Sequence, residues 1–361
     1  MHPPHFDPTI RLFTEEDVHG VYELSRACFV DRANTEAFIR RRYAPHRQPA
    51  VRVVLAEADG LLIGAQAVTL LPFFLEGREE PVAVFTDGMT HPNYRNRGVF
   101  RRVLHEAQQQ AFDLGAAMLM TMPNDASLPA FRKSGLWQIL PDRYLHVLPL
   151  DMPGFFRDRG LPSFLAAGLG LLSGLRLLGS GAAPAEGVRE VADLTCLAAD
   201  LNTLAAAAAR RIGGMMCRRD LAFLRWRFCG NPTWQYRYFI SYDPAGRVQG
   251  YIVTTTERRL GTLVSYLVDM LCVGSAAVPL RLVSHAASTM RAGGARLFGI
   301  IASSAWLESV LRKAGFWKVP QFAAPRRFHT AYAVNPRRPD LATLAARTTA
   351  WFLSLADFDT I

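Results

Sequence analysis

Apolar residues in the first 150 positions alternate between strand-like and helix-like spacings. Apolar runs at 51–58 and 61–71 flank Asp59-Gly60, a dipeptide typical of a tight hairpin turn, and a third run covers 82–90. An amphipathic stretch at 99–114 follows a polar turn. The other predicted elements are a capped helix beginning near Thr14, a hairpin beginning at 73–77, a strand at 117–122 and a helix at 127–134 ending at Gly135. Hairpins followed by a crossover helix predict a mixed α/β sheet, an α+β arrangement within the α/β class.

The same order of elements returns in the second half of the chain. The predicted elements there are strands at 236–242, 248–256, 262–271 and 295–301, and helices at 278–291 and 305–314. Segment 131–137 aligns with 311–317, Asp87 with Asp269 and Gly64 with Gly250, at spacings of 180, 182 and 186 residues. Such nearly constant spacing predicts an internal duplication. We expect tandem domains at 1–150 and 188–335, a connector at 151–187 and a helical tail at 336–361.

The connector contains an uncharged apolar run at 161–175, followed by Arg176 and a Gly/Ala/Ser-rich stretch. A helix that spans a membrane needs about 20 apolar residues, and this run is shorter. Two interpretations stay open: a buried or interdomain helix, or an interfacial helix at 161–178 that touches a membrane surface or shields an apolar substrate. The stretch that follows has the composition of a flexible linker.

The charge balance narrows the choice of partner. The chain has 361 residues, a net charge of +10 and a pI near 9.7, which suit a nucleotide-bearing cofactor, an acidic carrier protein, nucleic acid or an anionic membrane. Nucleic acid is not expected, because no helix-turn-helix, zinc-finger or RNP-type motif occurs. Five cysteines without C-x-x-C spacing indicate neither a disulfide framework nor a zinc site, and no metal is expected. The absence of a signal-peptide pattern predicts a cytoplasmic protein.

Candidate chemistry concentrates in segment 86–100, where an apolar strand leads through an arginine-rich turn into a helix. Such a turn leaves backbone N–H groups at the positive end of a helix dipole, which favours an anion such as a pyrophosphate. Arg95, Arg97, Arg101 and Arg102 add charge for phosphate oxygens. The alternative is an ordinary strand–helix turn with surface arginines.

The run Arg95-Asn96-Arg97-Gly98-Val99-Phe100 resembles the acetyl-CoA loop of the GNAT acetyltransferase family, Gln/Arg-x-x-Gly-x-Gly/Ala, except that Phe100 replaces a small residue. The resemblance extends over about 10–145 and implies acetyl-CoA or another acyl-CoA as co-substrate. It also includes a later motif, from Asn124 through Ser127 to Phe131 and Gly135. The residues expected to contact the cofactor are Met89, Thr90, Arg95, Asn96, Arg97, Gly98, Val99, Phe100, Arg101, Asn124, Ser127 and Phe131.

The resemblance implies direct attack of an amine on the thioester, with the oxyanion held by strand N–H groups near Met89 and Thr90. Phe131 stands where the family often has a tyrosine that protonates the leaving thiolate, and a phenyl ring cannot donate a proton. Ser127, Ser134, water or another residue would then replace it. The candidate bases are Asp87, which lies in an otherwise apolar strand, then His91 and Glu57. Asp87 has an equally simple alternative role as a buried carboxylate that orients an arginine.

The second copy lacks the arginine-rich turn, so we do not expect it to bind CoA. It is expected to complete the acceptor pocket, with Asp269, Arg225 and Trp226 as candidate substrate contacts; a helix end packed against the sheet is the alternative for the last two. The predicted function is N-acyl transfer from CoA to a small or peptidyl primary amine. The alternatives are long-chain acyl transfer from acyl-CoA or acyl carrier protein, and a non-catalytic GNAT-like binding protein.

Overall fold

The computed structural model describes residues 6–29, 34–43, 49–160, 187–259, 261–320 and 327–357, without the side chains of 195, 196 and 198. The apolar run at 161–175, the possible interfacial helix at 161–178 and nearly all of the linker that follows lie outside these ranges, so the predictions made for them stay predictions. Within the described ranges, no helix has both the length and the hydropathy needed to cross a membrane.

Fifteen strands occur in the described residues: β1 Thr9–Leu12, β2 Val51–Ala58, β3 Leu61–Leu75, β4 Arg78–Thr90, β5 Met118–Thr121, β6 Gln138–Pro149, β7 Val188–Val191, β8 Met215–Cys217, β9 Tyr236–Tyr242, β10 Val248–Arg259, β11 Thr262–Cys272, β12 Leu297–Ala302, β13 Trp317–Lys318, β14 Phe328–Val334 and β15 Trp351–Phe352. The α-helices of the same residues are α1 Val18–Cys28, α2 Glu36–Tyr43, α3 Val99–Asp113, α4 Leu128–Lys133, α5 Met152–Asp158, α6 Ala198–Ile212, α7 Leu221–Arg227, α8 Ala277–Ala292, α9 Ala305–Lys313 and α10 Ala342–Ala346.

These elements confirm the predicted order of strands and helices in both halves. The bounds agree within about three residues for most elements, because the apolar spacing changes sharply at glycine-containing turns. The exceptions are β3 and β4, which continue past the predicted ends to a hairpin turn at Glu76-Gly77. Both turn residues have positive φ, 49° and 85°, which a tight two-residue hairpin requires.

One continuous mixed sheet runs through the chain in the order β1-β2-β3-β4-β5-β14-β6-β12-β11-β10-β9-β7. Most neighbours are antiparallel, while β4 with β5 and β11 with β12 are parallel. A crossover helix joins the strands of these two pairs, α3 in the first case and α8 in the second, while the short strands β8 and β15 form a third parallel pair off this path. The predicted mixed α/β class is confirmed.

Strand β14 does not lie beside its sequence neighbours but between β5 and β6. The long strand β6 pairs with β14 through 138–143 and with β12 through 144–149, and therefore belongs to the sheets of both halves. The sheet consequently does not divide at the predicted boundaries. The predicted helical tail also differs: residues 339–357 form three 3-10 turns, the short α10 and β15, because Trp351 and Phe352 are buried in the core.

Helices cover both faces of β2–β5. Alternate strand residues such as Val54 and Ile63 pack under α3 and α4, and the intervening ones, such as Val53 and Leu55, pack under α1 and α2. A larger apolar cluster joins the two halves and includes Phe73, Tyr251 and Trp351. The ends of β4 and β5 thus lie on a scaffold that is packed from both faces.

Candidate active site

A β-bulge interrupts β4 just before its end. Ala65 pairs with Met89 and Ala67 with Thr86, so two residues, Asp87 and Gly88, stand opposite Gln66 alone. Asp87 has a φ of 51°, and the Gln66 side-chain amide donates to the carbonyl oxygens of Thr86 (2.8 Å) and Ala67 (3.0 Å). Such a bulge bends the strand and redirects the residues that follow.

Beyond the bulge, β4 and β5 separate. Their parallel pairing covers Val82–Phe85 with Met118–Thr121, and the described residues show no further pairing between them. The gap, here called the wedge, holds a cavity of about 380 Å³. Its walls are Thr86, Asp87 and Gly88 from β4, Thr121 to Asp125 from β5 and the turn after it, and side chains that include Phe29, Asn34, Gln66, Phe100, Ser127, Phe131, Arg259, Arg327, Phe328 and His329.

The turn between β4 and α3 presents backbone N–H groups toward solvent. Gly98 is the N-cap of α3 with a φ of 80°, Asn96 has a φ of 62°, and no side chain caps the helix. The first N–H groups of an uncapped helix, together with its dipole, form an anion site. The positive φ of Gly98 is what favours glycine there, and crowding is not, since an added Cβ would have no protein atom within 4 Å.

Gly64 of β3 brings this turn close to the sheet. An added Cβ at Gly64 would lie 2.6 Å from Val99 Cγ1 and 3.3 Å from Ala56 Cβ. Val99 is buried, so the start of α3 is seated directly on the sheet beside the wedge.

Four arginines surround the turn: two contact other side chains of the protein, and two are exposed. The Arg97 guanidinium lies over the rings of Tyr94 (5.3 Å) and Phe6 (5.7 Å), and Arg102 forms an ion pair with Asp7. Arg95 and Arg101 are exposed at the two ends of the turn. An anion held by the helix N-terminus would therefore have guanidinium groups within reach.

Comparison with known proteins places this site in a family. A family model described as an acetyltransferase (GNAT) domain matches residues 9–140. N-alpha-acetyltransferase RimI of Mycobacterium tuberculosis is 32% identical over 160 residues, which cover 43% of this chain and 95% of that protein. The chain belongs to the GNAT acetyltransferase family.

Solved structures extend the likeness of fold beyond the matched GNAT domain. A GCN5-related N-acetyltransferase from Anabaena variabilis aligns with a TM-score of 0.61 at 13% identity, over 90% of this chain and 73% of that one. The N-myristoyltransferase of Saccharomyces cerevisiae with bound myristoyl-CoA aligns with a TM-score of 0.60 at 9% identity, over 96% and 91% of the two chains. At such identities the likeness concerns the fold.

Membership in the GNAT family makes the chain an acyltransferase, an N-acetyltransferase of the GNAT kind that uses an acyl-CoA co-substrate and an amine-bearing acceptor. The residues present fit that co-substrate, because an uncapped helix N-terminus with exposed arginines adjoins the wedge. No group of three or more His, Cys, Asp or Glu side chains is placed to hold a metal within the described ranges.

Of the three predicted bases, Asp87 alone lines the wedge cavity. Its carboxylate accepts a hydrogen bond from the Tyr43 hydroxyl (2.7 Å) and forms an ion pair with Arg42 Nε (3.1 Å). This contact matches the alternative role given to Asp87, a carboxylate that orients an arginine. Both roles use the same carboxylate, and the catalytic one stays a prediction.

His91 and Glu57 lie outside the wall of the cavity. His91 Nδ1 accepts a hydrogen bond from the Asn93 backbone N–H (3.3 Å), which stabilises the turn after β4. Glu57 lies on β2, and β3 separates that strand from β4 and Asp87. Its carboxylate accepts a hydrogen bond from Arg11 (3.0 Å).

The expected cofactor contacts Asn124, Ser127 and Phe131 also line the wedge cavity. Asn124 and Ser127 close a turn, in which the Asn124 side chain accepts from the Ser127 N–H (2.9 Å). Phe131 is buried and packs edge-on against Phe100 (5.6 Å between centroids) and Trp137 (5.0 Å). Phe100, the departure from the usual loop pattern, therefore contributes to the aromatic wall of the cavity.

The proposed substrate contacts of the second half do not line this cavity. Asp269 has no exposed surface, and its carboxylate is bound by Arg219 (3.2 Å), Tyr251 (2.7 Å) and Ser354 (2.7 Å). Burial opposes the charge of Arg219, but Asp269 and Asp357 outweigh it and hold the pKa of that guanidinium well above its usual value.

The other two candidates, Arg225 and Trp226, lie at the end of α7. Their carbonyl oxygens accept from Arg41 (3.2 and 3.0 Å), and the Trp226 ring lies 5.9 Å from the Arg42 guanidinium. Segment 225–226 therefore meets α2 of the first half. This is the packing role that the sequence left open as the alternative.

Sequence reasoning missed His329, which lies on β14 and lines the wedge cavity. It is 3% exposed, with Nδ1 2.6 Å from Asp142 Oδ1 and Nε2 2.8 Å from Asp125 Oδ1. About 200 residues separate His329 from Asp125. Only the insertion of β14 between β5 and β6 brings them together, and no local motif signals that insertion.

Proposed function

We propose that the chain transfers an acyl group from CoA to a primary amine, with the CoA phosphates at the turn before α3. The observation that carries this proposal is the position of the wedge cavity directly beside the uncapped α3 N-terminus. A thioester whose phosphates rest on residues 95–101 would extend its carbonyl into the gap between β4 and β5.

The proposed roles follow the position of each residue. Arg95, Arg101 and the N–H groups of 96–99 would hold phosphate oxygens, and the strand end at Met89 and Thr90 would face the thioester oxygen. Asn124 and Ser127 would border the pantetheine arm. Asp87 is the proposed acceptor of the amine proton, because it lines the cavity while His91 and Glu57 do not.

The acceptor class is inferred from a relative, and the acyl length from the side chains of the cavity wall. RimI, the 32% identical relative, is named an N-alpha-acetyltransferase, so we propose a peptide α-amino group as the first acceptor class. Acetyl is the first donor. A longer acyl chain is the second candidate, because seven apolar side chains line the cavity: Phe29, Phe85, Phe100, Met122, Pro123, Phe131 and Phe328.

We also propose that residues 188–335 are a degenerate second copy of the unit at 1–150, linked by 151–187. Both halves contain a hairpin, a third strand, a crossover helix, a parallel strand and a short helix ended by a left-handed glycine, Gly135 or Gly315. The second copy would not bind CoA, since its turn at 273–276 contains no arginine. A contact of 161–178 with a membrane, and acyl carrier protein as donor, stay predictions.

An acyl-transfer assay tests the proposed function. The chain is incubated with acetyl-, octanoyl- or myristoyl-CoA and one of three amines: a peptide with a free α-amino group, an N-terminally blocked lysine peptide, or a linear diamine. We expect a mass gain of one acyl group on the free α-amino peptide, with release of free CoA thiol. Arg95→Glu should lower kcat/KM, whereas Arg312→Glu, an exposed arginine on α9, should not. Absence of transfer to all three amines would contradict the proposal.

A further inference from the structure

The wedge contains a proton-transfer group that the GNAT resemblance did not supply. The reaction releases a thiolate, which leaves more readily when it is protonated as the carbon–sulfur bond breaks. Phe131 occupies the position from which a tyrosine would deliver that proton, and its ring is buried against Phe100 and Trp137. Phe131 therefore cannot provide the acid.

Three alcohols line the cavity, Thr86, Thr121 and Ser127, and they are poorly suited to this task. The Thr86 hydroxyl is buried and makes no hydrogen bond within the described residues. The Thr121 hydroxyl donates to the Phe85 carbonyl oxygen (3.0 Å), and the Ser127 hydroxyl donates to the Asn124 carbonyl oxygen (3.3 Å). Ser134, the other serine considered from the sequence, donates to the Phe131 carbonyl oxygen (2.7 Å) and does not line the cavity. All are weak acids compared with an imidazolium.

His329 has the geometry of a charged acid. Its ring nitrogens lie 2.6 Å from Asp142 and 2.8 Å from Asp125, and each contact requires a donor because the carboxylates accept. An imidazole can donate from both nitrogens only when both carry a proton. A ring that makes both contacts as a donor therefore carries a proton on Nε2, the nitrogen that faces Asp125.

The two sides of the ring are not equivalent. Asp142, which holds Nδ1, belongs to β6 and does not line the cavity, whereas Asp125, which holds Nε2, lines it and is 68% exposed. A sulfur atom that enters the wedge can replace Asp125 as the acceptor of the Nε2 proton. Asp142 would then act as the positioning residue that fixes the ring and its charge.

We propose that His329, contributed by β14 of the second half, is the general acid that protonates the leaving CoA thiolate. The inference rests on the proposed function, and it assigns to the second half a direct part in the reaction. The acceptor amine nitrogen forms a bond to the acyl carbon, and the carbon–sulfur bond breaks with its electron pair on sulfur. The Nε2 proton moves to that sulfur, so CoA departs as a thiol.

Protons balance over the cycle. The amine loses one proton to the proposed base, Asp87. Asp87 then releases that proton to solvent. His329 regains one proton from solvent through the exposed Asp125. The other charged groups on the cavity wall are Arg259 of β10 and Arg327 beside β14, and both favour the departing anion.

His329→Gln tests the proposal, with acetyl-CoA and the free α-amino peptide as probes. We expect kcat to fall about 100-fold or more, which is within the range of general-acid contributions, with the Kd for acetyl-CoA unchanged within about twofold. The kcat of the unaltered chain should fall at high pH, because the proposed acid must carry a proton, and His329→Gln should lack that alkaline limb. His146→Gln is the matched control, because His146 is a buried histidine of β6 that does not line the cavity.

Each other outcome has a defined meaning. A His329→Gln chain that keeps kcat within about threefold, or keeps the alkaline limb, overturns the inference while the proposed function stands. If His329→Gln fails to bind acetyl-CoA, Asp142→Asn decides: an alkaline limb moved to lower pH supports the role of His329, and an unmoved limb contradicts it. No transfer by the unaltered chain to any of the three amines removes the proposed function, and with it this inference.

Discussion

The turns that precede the two crossover helices, α3 and α8, occupy equivalent places in the two halves and differ in chemistry. Between β4 and α3, residues 91–98 include two left-handed positions, Asn96 and Gly98, and exposed arginines. Between β11 and α8, residues 273–276 are Val-Gly-Ser-Ala, with one left-handed position, Gly274. The Gly274 carbonyl oxygen accepts from Arg211 Nη1 (2.7 Å), so a charge of the protein itself is bound there.

The gaps between the strands beside these turns also differ: the first is open, and the second is filled by the chain. The gap after β4 and β5 contains the wedge cavity, while the C-terminal segment bridges β11 and the end of β12. Ser354 donates to Asp269 of β11 (2.7 Å), and Ser303, which follows β12, donates to the Leu353 carbonyl oxygen (2.7 Å). One arrangement of elements thus gives a cavity where the gap is open and a buried ion cluster where the chain fills it.

The largest expected effect comes from the filled gap. Arg219 is fully buried between Asp269 and Asp357, so Arg219→Leu leaves two carboxylates without their cation. We expect the free energy of unfolding to fall by about 3–5 kcal/mol, measured by chemical denaturation. The control is Arg237→Leu, which removes an exposed pair with Glu190 and should cost about 1 kcal/mol or less. Equal losses for the two variants would contradict the described role of the cluster.

An intermediate effect should separate the two turns. Gly98→Ala and Gly274→Ala each place a Cβ at a positive φ, 80° and 83°, and should each lower the free energy of unfolding by about 1–2 kcal/mol. Only Gly98→Ala should also weaken acetyl-CoA binding, by about tenfold, because it disturbs the α3 N-terminus. Calorimetry on both variants checks this difference. Weakened binding in Gly274→Ala would show that the second turn also contributes to the cofactor site.

The sequence was sufficient for the local elements, including the arginine-rich turn before α3, because these depend on residues that are close along the chain. The spacing at 236–314 and the run Arg95–Phe100 contain that information directly. The bulge at Asp87 and Gly88 depends on the pairing of two strands about 20 residues apart. The exchange that places β14 beside β5 and the filling of the second gap depend on residues more than 80 positions apart. Hydrophobic periodicity reports only on residues that are close along the chain. It therefore did not predict that His329 lines the cavity or that Asp269 is buried.

The smallest effect should come from adding charge to the second turn. Ser275→Arg gives that exposed turn an arginine but leaves the gap filled, so the free energy of unfolding should change by no more than about 0.5 kcal/mol. The number of acetyl-CoA molecules bound per chain should stay at one, as measured by calorimetry. A second binding event would mean that charge alone, and not the open gap, decides which copy binds CoA.

The central claim is that one acyl-CoA site exists, at the turn before α3 and the wedge beside it. Calorimetric titration with acetyl-CoA of the unaltered chain, Arg95→Glu and Arg312→Glu tests it most directly. We expect one molecule per chain, a Kd raised at least about tenfold by Arg95→Glu through the loss of a charge-assisted hydrogen bond, and no change with Arg312→Glu. Two molecules per chain, or equal Kd values for all three proteins, would contradict the claim.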